Sequence, residues 1–478
     1  MPDSNALFLT VGNYCRREVI TCPPNERLTD AAVTMQRSNI SSLVVCAAGN
    51  PVGILTDRDL RNKVVAQNLD PGNLTVADVM NSPVITISED DYLFEALHLI
   101  SRHRIHRLVV TGPVGELAGI ITDSDILRVQ TRSPQQLVRE IEEAATLEEL
   151  KSLHQRVQEL VRHLIGTGVR VQDMVRLIAH LNDRVVIRLI DLLRAERFTG
   201  LTDSFAFVVL GSEGRSEQTL TTDQDNALVY GNDLAAGELR LLEEFSTTMI
   251  DSLIDIGVPS CPGGIMAKND QWRRSLDQWR VVLEQWFSTP TPENIMNVSM
   301  FSDLRLLSGD PSLELALKEF VAGRLKNDEL FLGHMTANLL RFAVPLGWFG
   351  KIRTEKGEHA GRLDLKKAGI FAITEGIKIL ALAHGIQETG TAERAGQLTG
   401  QGVLTKKEAD DLIASFYALV HFRLRTQVDA ISKGQNPDNR IMLAELNRME
   451  QERLKAALEG VSSFLKSMGR RYQLGQTM

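Results

Sequence analysis

Apolar residues along this chain switch between two spacings, and the switches divide it into segments. Leu150, Leu153, Val157, Leu160, Val161 and Leu164 recur at three- and four-residue intervals, the period of a helix with one buried face. Gly166 and Gly168 interrupt the pattern, and Val175, Leu177, Ile178, Leu181, Val185, Ile187 and Leu189 resume it with a wide apolar face. Phe205 to Leu210 is instead a continuous, partly β-branched apolar run of strand length, and Ala227-Leu228-Val229-Tyr230 is another. Ile295 to Phe301 reads as a third strand-like run. From about Pro311 to Met478 the spacing is helical again, with breaks near Gly347, Gly361, Gly400 and Gly434.

The first part of the chain repeats itself. Gly53-Ile54-Leu55-Thr56-Asp57-Arg58-Asp59-Leu60 recurs as Gly119-Ile120-Ile121-Thr122-Asp123-Ser124-Asp125-Ile126, and Leu28 to Val45 is echoed by Leu93 to Val110. Each copy reads helix, strand, strand, helix, preceded by a short element at Val19-Ile20-Thr21 or Val84-Ile85-Thr86. Two such units each expose one apolar sheet face, so they are expected to bury those faces against each other as one module.

The chemistry concentrates between the two strands near the middle. Gly211-Ser212-Glu213-Gly214-Arg215-Ser216-Glu217 follows the first strand directly, where backbone N–H groups can hold phosphate. About one and a half turns of polar helix are expected next. Asp223 and Asp225 then stand two residues apart at the start of the second strand, so their carboxylates face one side and can grip one Mg²⁺. Asp303, after the third strand-like run, supplies a third candidate carboxylate. A pair of ions held this way would activate an attacking hydroxyl and clamp a triphosphate.

This pattern resembles the DNA-polymerase-β-type nucleotidyltransferase superfamily, and within it the nucleotidyltransferase domain related to the uridylyltransferases of the PII signal protein. Gly211, Ser212, Gly214, Arg215, Glu217, Asp223, Asp225 and Asn226 carry the resemblance, with Cys261 to Ala267, Trp272-Arg273 and Phe301 to Arg305 later. Ser302 departs from it, since the family usually has an aromatic there. The C-terminal helices resemble the family's substrate-binding region through Pro345 to Gly350, Gly361 to Lys367, Thr391 to Arg394, Arg423 to Gln427 and Asn439. The repeat resembles a tandem CBS-domain pair. That resemblance implies an adenine nucleotide whose ribose and phosphates meet Thr56, Asp59, Thr122 and Asp125, while Arg104 and Arg107 can meet phosphate charge by forked hydrogen bonds. His103 and His106 lack zinc partners at ligand spacing.

Composition narrows the class. At 478 residues the chain exceeds one core and is expected to hold about two to four domains. A net charge of −8 disfavours broad nucleic-acid binding. Met1 to Thr10 lacks a secretory pattern, and no stretch has bilayer-spanning apolar length, so no membrane role and a cytoplasmic location are expected. Cys15, Cys22, Cys46 and Cys261 show no disulfide or zinc spacing and read as structural thiols.

The expected architecture is α/β and α multidomain: a tandem CBS pair at 1–132 (repeats about 14–70 and 76–132), a helical connector at 133–200, a polymerase-β-like nucleotidyltransferase α/β domain at 201–320, and an all-helical substrate-binding domain at 321–478. The expected function is transfer of a nucleoside monophosphate from an NTP to an acceptor hydroxyl, with Mg²⁺ or Mn²⁺ on Asp223, Asp225 and Asp303. Gly211, Ser212, Gly214, Arg215 and Lys366 would face the NTP, and Lys367, Arg394 and Arg423 are further basic candidates. Family analogy supplies a PII-like acceptor protein, an adenine nucleotide as regulator and a homodimer. The alternatives are a non-catalytic adenine-nucleotide sensor that binds a partner and a small-molecule nucleotidyltransferase.

Overall fold

The computed structural model describes residues 9–126, 134–165, 169–221, 223–326, 328–347 and 350–472. Met1 to Phe8, Gly166, Gly168, Trp348, Phe349 and residues 473–478, used above, lie outside them. Residues 1–136 and 137–478 form two compact units.

The first unit contains two three-stranded sheets of the same design: β1 (Thr21–Cys22), β2 (Ser42–Ala47) and β3 (Asn50–Thr56), then β4 (Thr86–Ser88), β5 (Arg107–Thr111) and β6 (Leu117–Thr122). In each sheet the short first strand runs parallel to the second, and the second pairs antiparallel with the third. Even the irregularity repeats, between Val45 and Cys46 in one copy and Val110 and Thr111 in the other. Helices α1 (Leu28–Arg37) and α2 (Leu93–His103) connect the first strand to the second. The middle strands bury three consecutive residues, Leu43-Val44-Val45 and Leu108-Val109-Val110. Burial without alternation means that both sheet faces are covered.

The second unit is built on a four-stranded sheet in the order β10–β7–β8–β9, from β7 (Phe205–Val209), β8 (Asn226–Tyr230), β9 (Arg273–Ser275) and β10 (Arg305–Gly309). Its larger helices are α3 (Pro134–Glu143), α4 (Leu147–Ile165), α5 (Val171–Glu196), α6 (Ala236–Ile256), α7 (Leu276–Ser288), α8 (Pro292–Phe301), α9 (Pro311–Leu325), α10 (Glu329–Leu339), α11 (Phe371–Ala383), α12 (Thr391–Gly400), α13 (Lys406–Ser432) and α14 (Arg448–Arg471). Alternation along β7 feeds two cores. Phe205, Phe207 and Val209 join residues of α4, α5 and α6, while Ala206 and Val208 join the core that runs on through α7, α8 and the C-terminal helices. β11 (Arg362–Asp364) and β12 (Arg440–Met442) pair beside α13. Among the described residues no helix is long and apolar enough to cross a membrane.

Two local expectations are corrected. Ile295 to Phe301 is the body of α8 and not a strand: Thr291 Oγ1 accepts from Asn294 N at 3.2 Å, Pro292 opens the helix, and Ile295, Val298, Ser299 and Phe301 are buried. A short apolar run does not separate strand from helix, but the Thr-Pro cap does. The polar helix expected after the glycines is a single turn, Gly211–Gly214. Ser216, at φ 55°, ends it in the left-handed region, and residues 217–221 and 223–225 lie outside helix and strand.

Candidate active site

Antiparallel pairing of β7 with β8 sets Val209 opposite Asn226, so the exit of one strand lies beside the entrance of the other. The glycine turn and the two aspartates therefore meet at one edge of the sheet. Leu210 N donates to Asp225 O at 2.8 Å, and Asp225 N donates to the Glu213 carboxylate at 3.3 Å. Asn226 ties in the loop that follows α6: its Oδ1 accepts from Ala267 N at 2.8 Å and its backbone N donates to Ile265 O at 3.1 Å. That loop carries Cys261, whose thiol donates to the Asp225 carboxylate. The sequence reading had placed Cys261 outside the chemistry.

Two glycines are required for different reasons. Gly211 sits at φ +53°, and a Cβ there would lie 3.0 Å from Met300 Cε and 3.1 Å from Asp225 Oδ2. Gly214 packs against backbone, since a Cβ would stand 1.9 Å from the carbonyl oxygen of Asp303. No rotamer relieves such a clash. Gly214→Ala is expected to lower unfolding stability by about 3 kcal/mol or more, measured by denaturant titration.

Asp223 is exposed and Asp225 half-buried. Burial, reinforced by the Asp223 charge, pushes Asp225 up to about 6, against the opposing pull of Cys261 and Lys366. Two carboxylates held together with so little compensation fit a hard divalent ion that takes its other ligands from water and phosphate. Lys366 and Arg423 face the pair from the C-terminal region. Burial and the neighbouring Arg423 lower Lys366, while Asp225 and Asp223 act the other way. Burial lowers Arg423 to about 10, with Asp364 and Asp223 opposing. Arg423 Nε donates to Asn439 Oδ1 at 2.6 Å, and among the described residues neither cation has a carboxylate within ion-pair distance. One turn further along α13, Gln427 Nε2 reaches Thr221 O at 3.5 Å, beside the aspartate loop.

Asp303 and Arg215 are elsewhere in role. Asp303 has no exposed surface, and Arg394 Nη1 lies 2.7 Å from its Oδ1 while Arg215 Nη1 and Lys378 Nζ lie 2.5 and 2.8 Å from its Oδ2. Burial alone would raise this carboxyl; Lys378, Arg215 and Arg394 reverse that and hold it at about 2. Both Asp303 oxygens are thus taken by cations, and among the described residues no group of three or more His, Cys, Asp or Glu side chains gathers to hold a metal. Arg215 is likewise committed, with its Nε 2.8 Å from Glu217 Oε2, and offers no free charge to a phosphate. Glu217 Oε1 in turn accepts from Thr391 N at 2.7 Å, at the start of α12. Of the other basic candidates, Arg394 belongs to this hub and Lys367 is an exposed partner of Asp364.

In the first unit, the Thr-x-x-Asp segments form matching capping boxes. Thr56 N donates to Asp59 Oδ2 and Asp59 N to Thr56 Oγ1, at 3.1 and 3.2 Å; the Thr122 and Asp125 equivalents are both 3.1 Å. Asp59 also accepts from Asn81 Nδ2 at 2.8 Å and stands 3.3 Å from Lys63. Arg107 Nη1 donates to Ser41 Oγ at 3.0 Å and Ser42 Oγ at 2.5 Å, bridging the two repeats, whereas Arg104 caps α2 in the left-handed conformation.

Comparison with known proteins bears on each part. The CBS domain family matches residues 11–66 and 76–132, "Putative nucleotidyltransferase DUF294" matches 155–293, and "Putative nucleotidyltransferase substrate binding domain" matches 329–472. Among relatives, MK0525 of Methanopyrus kandleri is 40% identical over 123 residues, 26% of this chain and 63% of its own length. MJ1232 of Methanocaldococcus jannaschii is 31% identical over 25% of this chain and 39% of its own, so the chain spans less than two thirds of either relative. Hypoxic response protein 1 of Mycobacterium tuberculosis is 32% identical over 23% of this chain and 77% of its own. A solved CBS domain protein of Pyrobaculum aerophilum, complexed with AMP, is 24% identical, covering 26% of this chain and all of that one, with TM-score 0.24. The chain thus joins a CBS pair to a domain of the family "Putative nucleotidyltransferase DUF294" and to one of the family "Putative nucleotidyltransferase substrate binding domain", in that order.

Proposed function

We propose that the protein transfers a nucleoside monophosphate from an NTP to an acceptor hydroxyl. The observation that carries this reading is the meeting of the Gly211–Gly214 turn, Asp223 and Asp225 at one sheet edge, with Lys366 and Arg423 facing them. In the reaction the acceptor oxygen gives up its proton to solvent and bonds to the α-phosphorus, the bridge to the β-phosphate breaks, and pyrophosphate leaves with the electron pair. Asp223 and Asp225 would hold Mg²⁺ or Mn²⁺, which when bound neutralises phosphate charge. Ser212 and the backbone around Gly211 orient the triphosphate, and Lys366 and Arg423 bind its phosphate charge. Asp303 and Arg215 support the turn from behind.

Arg423→Gln is expected to raise the KM for NTP by about 10- to 100-fold with a smaller change in kcat, because a charge-assisted bond to phosphate contributes about 1.5–3 kcal/mol in ground and transition states alike. Steady-state kinetics over NTP concentration checks it.

The acceptor in this reading is a tyrosine of a PII-like protein, by family analogy. The CBS pair would sense an adenine nucleotide through Thr56, Asp59, Thr122 and Asp125, with Arg104 and Arg107 toward phosphate, in a cytoplasmic homodimer. The test is transfer from each α-labelled NTP into cell lysate, with Mg²⁺ or Mn²⁺, against an Asp223→Asn/Asp225→Asn double variant. A labelled band lost in the variant supports protein nucleotidylation. Label in a metabolite fraction instead gives a small-molecule acceptor, and no label with any NTP and adenine nucleotide leaves a non-catalytic sensor.

A further inference from the structure

Among the described residues two arginines are buried, Arg394 at 1% and Arg423 at 7% exposure, and they are held in opposite ways. Arg394 is committed on every edge. Its Nη1 meets Asp303 Oδ1 at 2.7 Å, its Nε donates to Glu388 O at 2.7 Å and its Nη2 to Ser302 O at 3.0 Å. Arg423 makes one bond, from Nε to Asn439 Oδ1 at 2.6 Å, and among the described residues neither of its Nη groups has a partner. The carboxylates that act on it, Asp364 and Asp223, lie beyond ion-pair distance. Asp364 is itself taken up with Lys367, whose backbone N and Nζ lie 3.0 and 3.8 Å from it. Burial lowers Arg423 only to about 10, so it remains a cation at neutral pH.

Asn439 stands where two segments of the site meet. β12 begins at the next residue and pairs antiparallel with β11, setting Arg440 opposite Asp364. One step beyond that pair, Leu365 N donates to Asn439 O at 2.9 Å, and Lys366 follows directly. The backbone of Asn439 therefore holds the strand end that carries Lys366, while its side chain holds the guanidinium that α13 supplies. A guanidinium offers only hydrogens, so the amide oxygen must be the atom that faces it. An amide orients the arginine without cancelling its charge. A carboxylate in its place would hold the guanidinium more firmly and neutralise it.

We infer that Asn439 is a positioning residue for the phosphates of the NTP: its amide orients Arg423 toward Asp223 and Asp225 and leaves the charge and both Nη groups of the guanidinium for phosphate oxygens. The inference rests on the transfer reading above and adds to it that the partner of Arg423 must be neutral. A buried cation beside a neutral partner costs stability, because no opposite charge offsets the water it has lost. An arginine kept for the fold alone would gain from a carboxylate such as the one Arg394 has in Asp303. The missing carboxylate is thus explained by an anion that arrives with the substrate.

The test replaces Asn439 by Asp, which keeps the shape of the side chain and adds a charge. Calorimetric titration of the full chain with the α,β-methylene analogue of each of the four NTPs and Mg²⁺ measures binding, and thermal unfolding without nucleotide measures stability. In Asn439→Asp the affinity for the analogue that binds wild type is expected to fall about 10-fold or more, while the unfolding midpoint rises by about 2–4 °C. Asn439→Leu removes the acceptor without adding charge and should lower both. A bond that served only the fold would lower the midpoint in both variants and leave the affinity of the folded protein unchanged. An affinity in Asn439→Asp within about twofold of wild type, or a lowered midpoint in both variants, would therefore overturn the assignment of Asn439 alone. No binding of any analogue to wild type would instead remove the transfer reading, and this inference with it.

Discussion

Replacing Asp225 by Asn is expected to reduce nucleotidyl transfer by about a thousandfold or more while leaving the fold in place. The side chain keeps its size, and an amide can still accept the Cys261 thiol and pack over Gly211, from whose Cβ position Asp225 Oδ2 is 3.1 Å away. What disappears is one of the two charges that the edge of the sheet devotes to a metal. Losing several kcal/mol of charge stabilisation corresponds to about three decades of rate at 1.36 kcal/mol per decade. Removing a carboxylate that sits at about 6 because burial and Asp223 disfavour its charge should, if anything, steady the folded protein without metal. Loss of transfer with an unchanged or raised unfolding midpoint is therefore the signature. Loss of both would make Asp225 structural, and retained transfer would remove it from the reaction.

The parts of this molecule that local signals encode were legible before the structure. Repetition revealed both CBS repeats, including the Thr-x-x-Asp boxes, because each box is a helix start that uses only residues three positions apart. The glycine turn and the Asp-x-Asp strand entrance were legible because a strand, a turn and a strand lie within 26 residues, from Phe205 to Tyr230. Long-range partners were not. Nothing local to Asp303 announces Arg394 and Lys378, which lie 91 and 75 residues further on; Asp303 therefore looked like a free carboxylate. Arg215 looked like a free cation for the same reason. Arg423 and Lys366 were two basic residues among many on helices, and their position opposite Asp223 and Asp225 arises only when α13 packs across the aspartate loop. Glu213 sat in plain view within the glycine turn. Its side chain turns inward to Gln218 and Asp225 N, a direction that the motif spacing does not encode.

Asp303→Asn should be the most damaging single change to stability. The carboxylate is the centre of a buried set in which Asp303, Glu217 and Glu375 balance Arg215, Arg394 and Lys378. Lys378 is anchored further by Ser299, whose carbonyl and hydroxyl oxygens both accept from it at 2.9 Å. An amide leaves one positive charge uncompensated among side chains that cannot reach water, for which about 3–5 kcal/mol is the expected loss. The damage should also carry to the active site, because Arg215 leads directly from the hub to the phosphate turn. Asp303→Asn is therefore expected to raise the KM for NTP in protein that remains folded at low temperature, unlike Asp225→Asn. Acid should reproduce part of the effect. The carboxyl is held at about 2 in the folded protein against an ordinary value of 3.8, so its contribution is complete above 3.8 and drains as pH falls toward 2. In urea titrations at decreasing pH, the variant should lose less stability than the wild type across that window. Parallel loss in both proteins would mean that the hub does not set acid stability, and an unfolding free energy within about 1 kcal/mol of wild type at neutral pH would mean that the three cations find other partners.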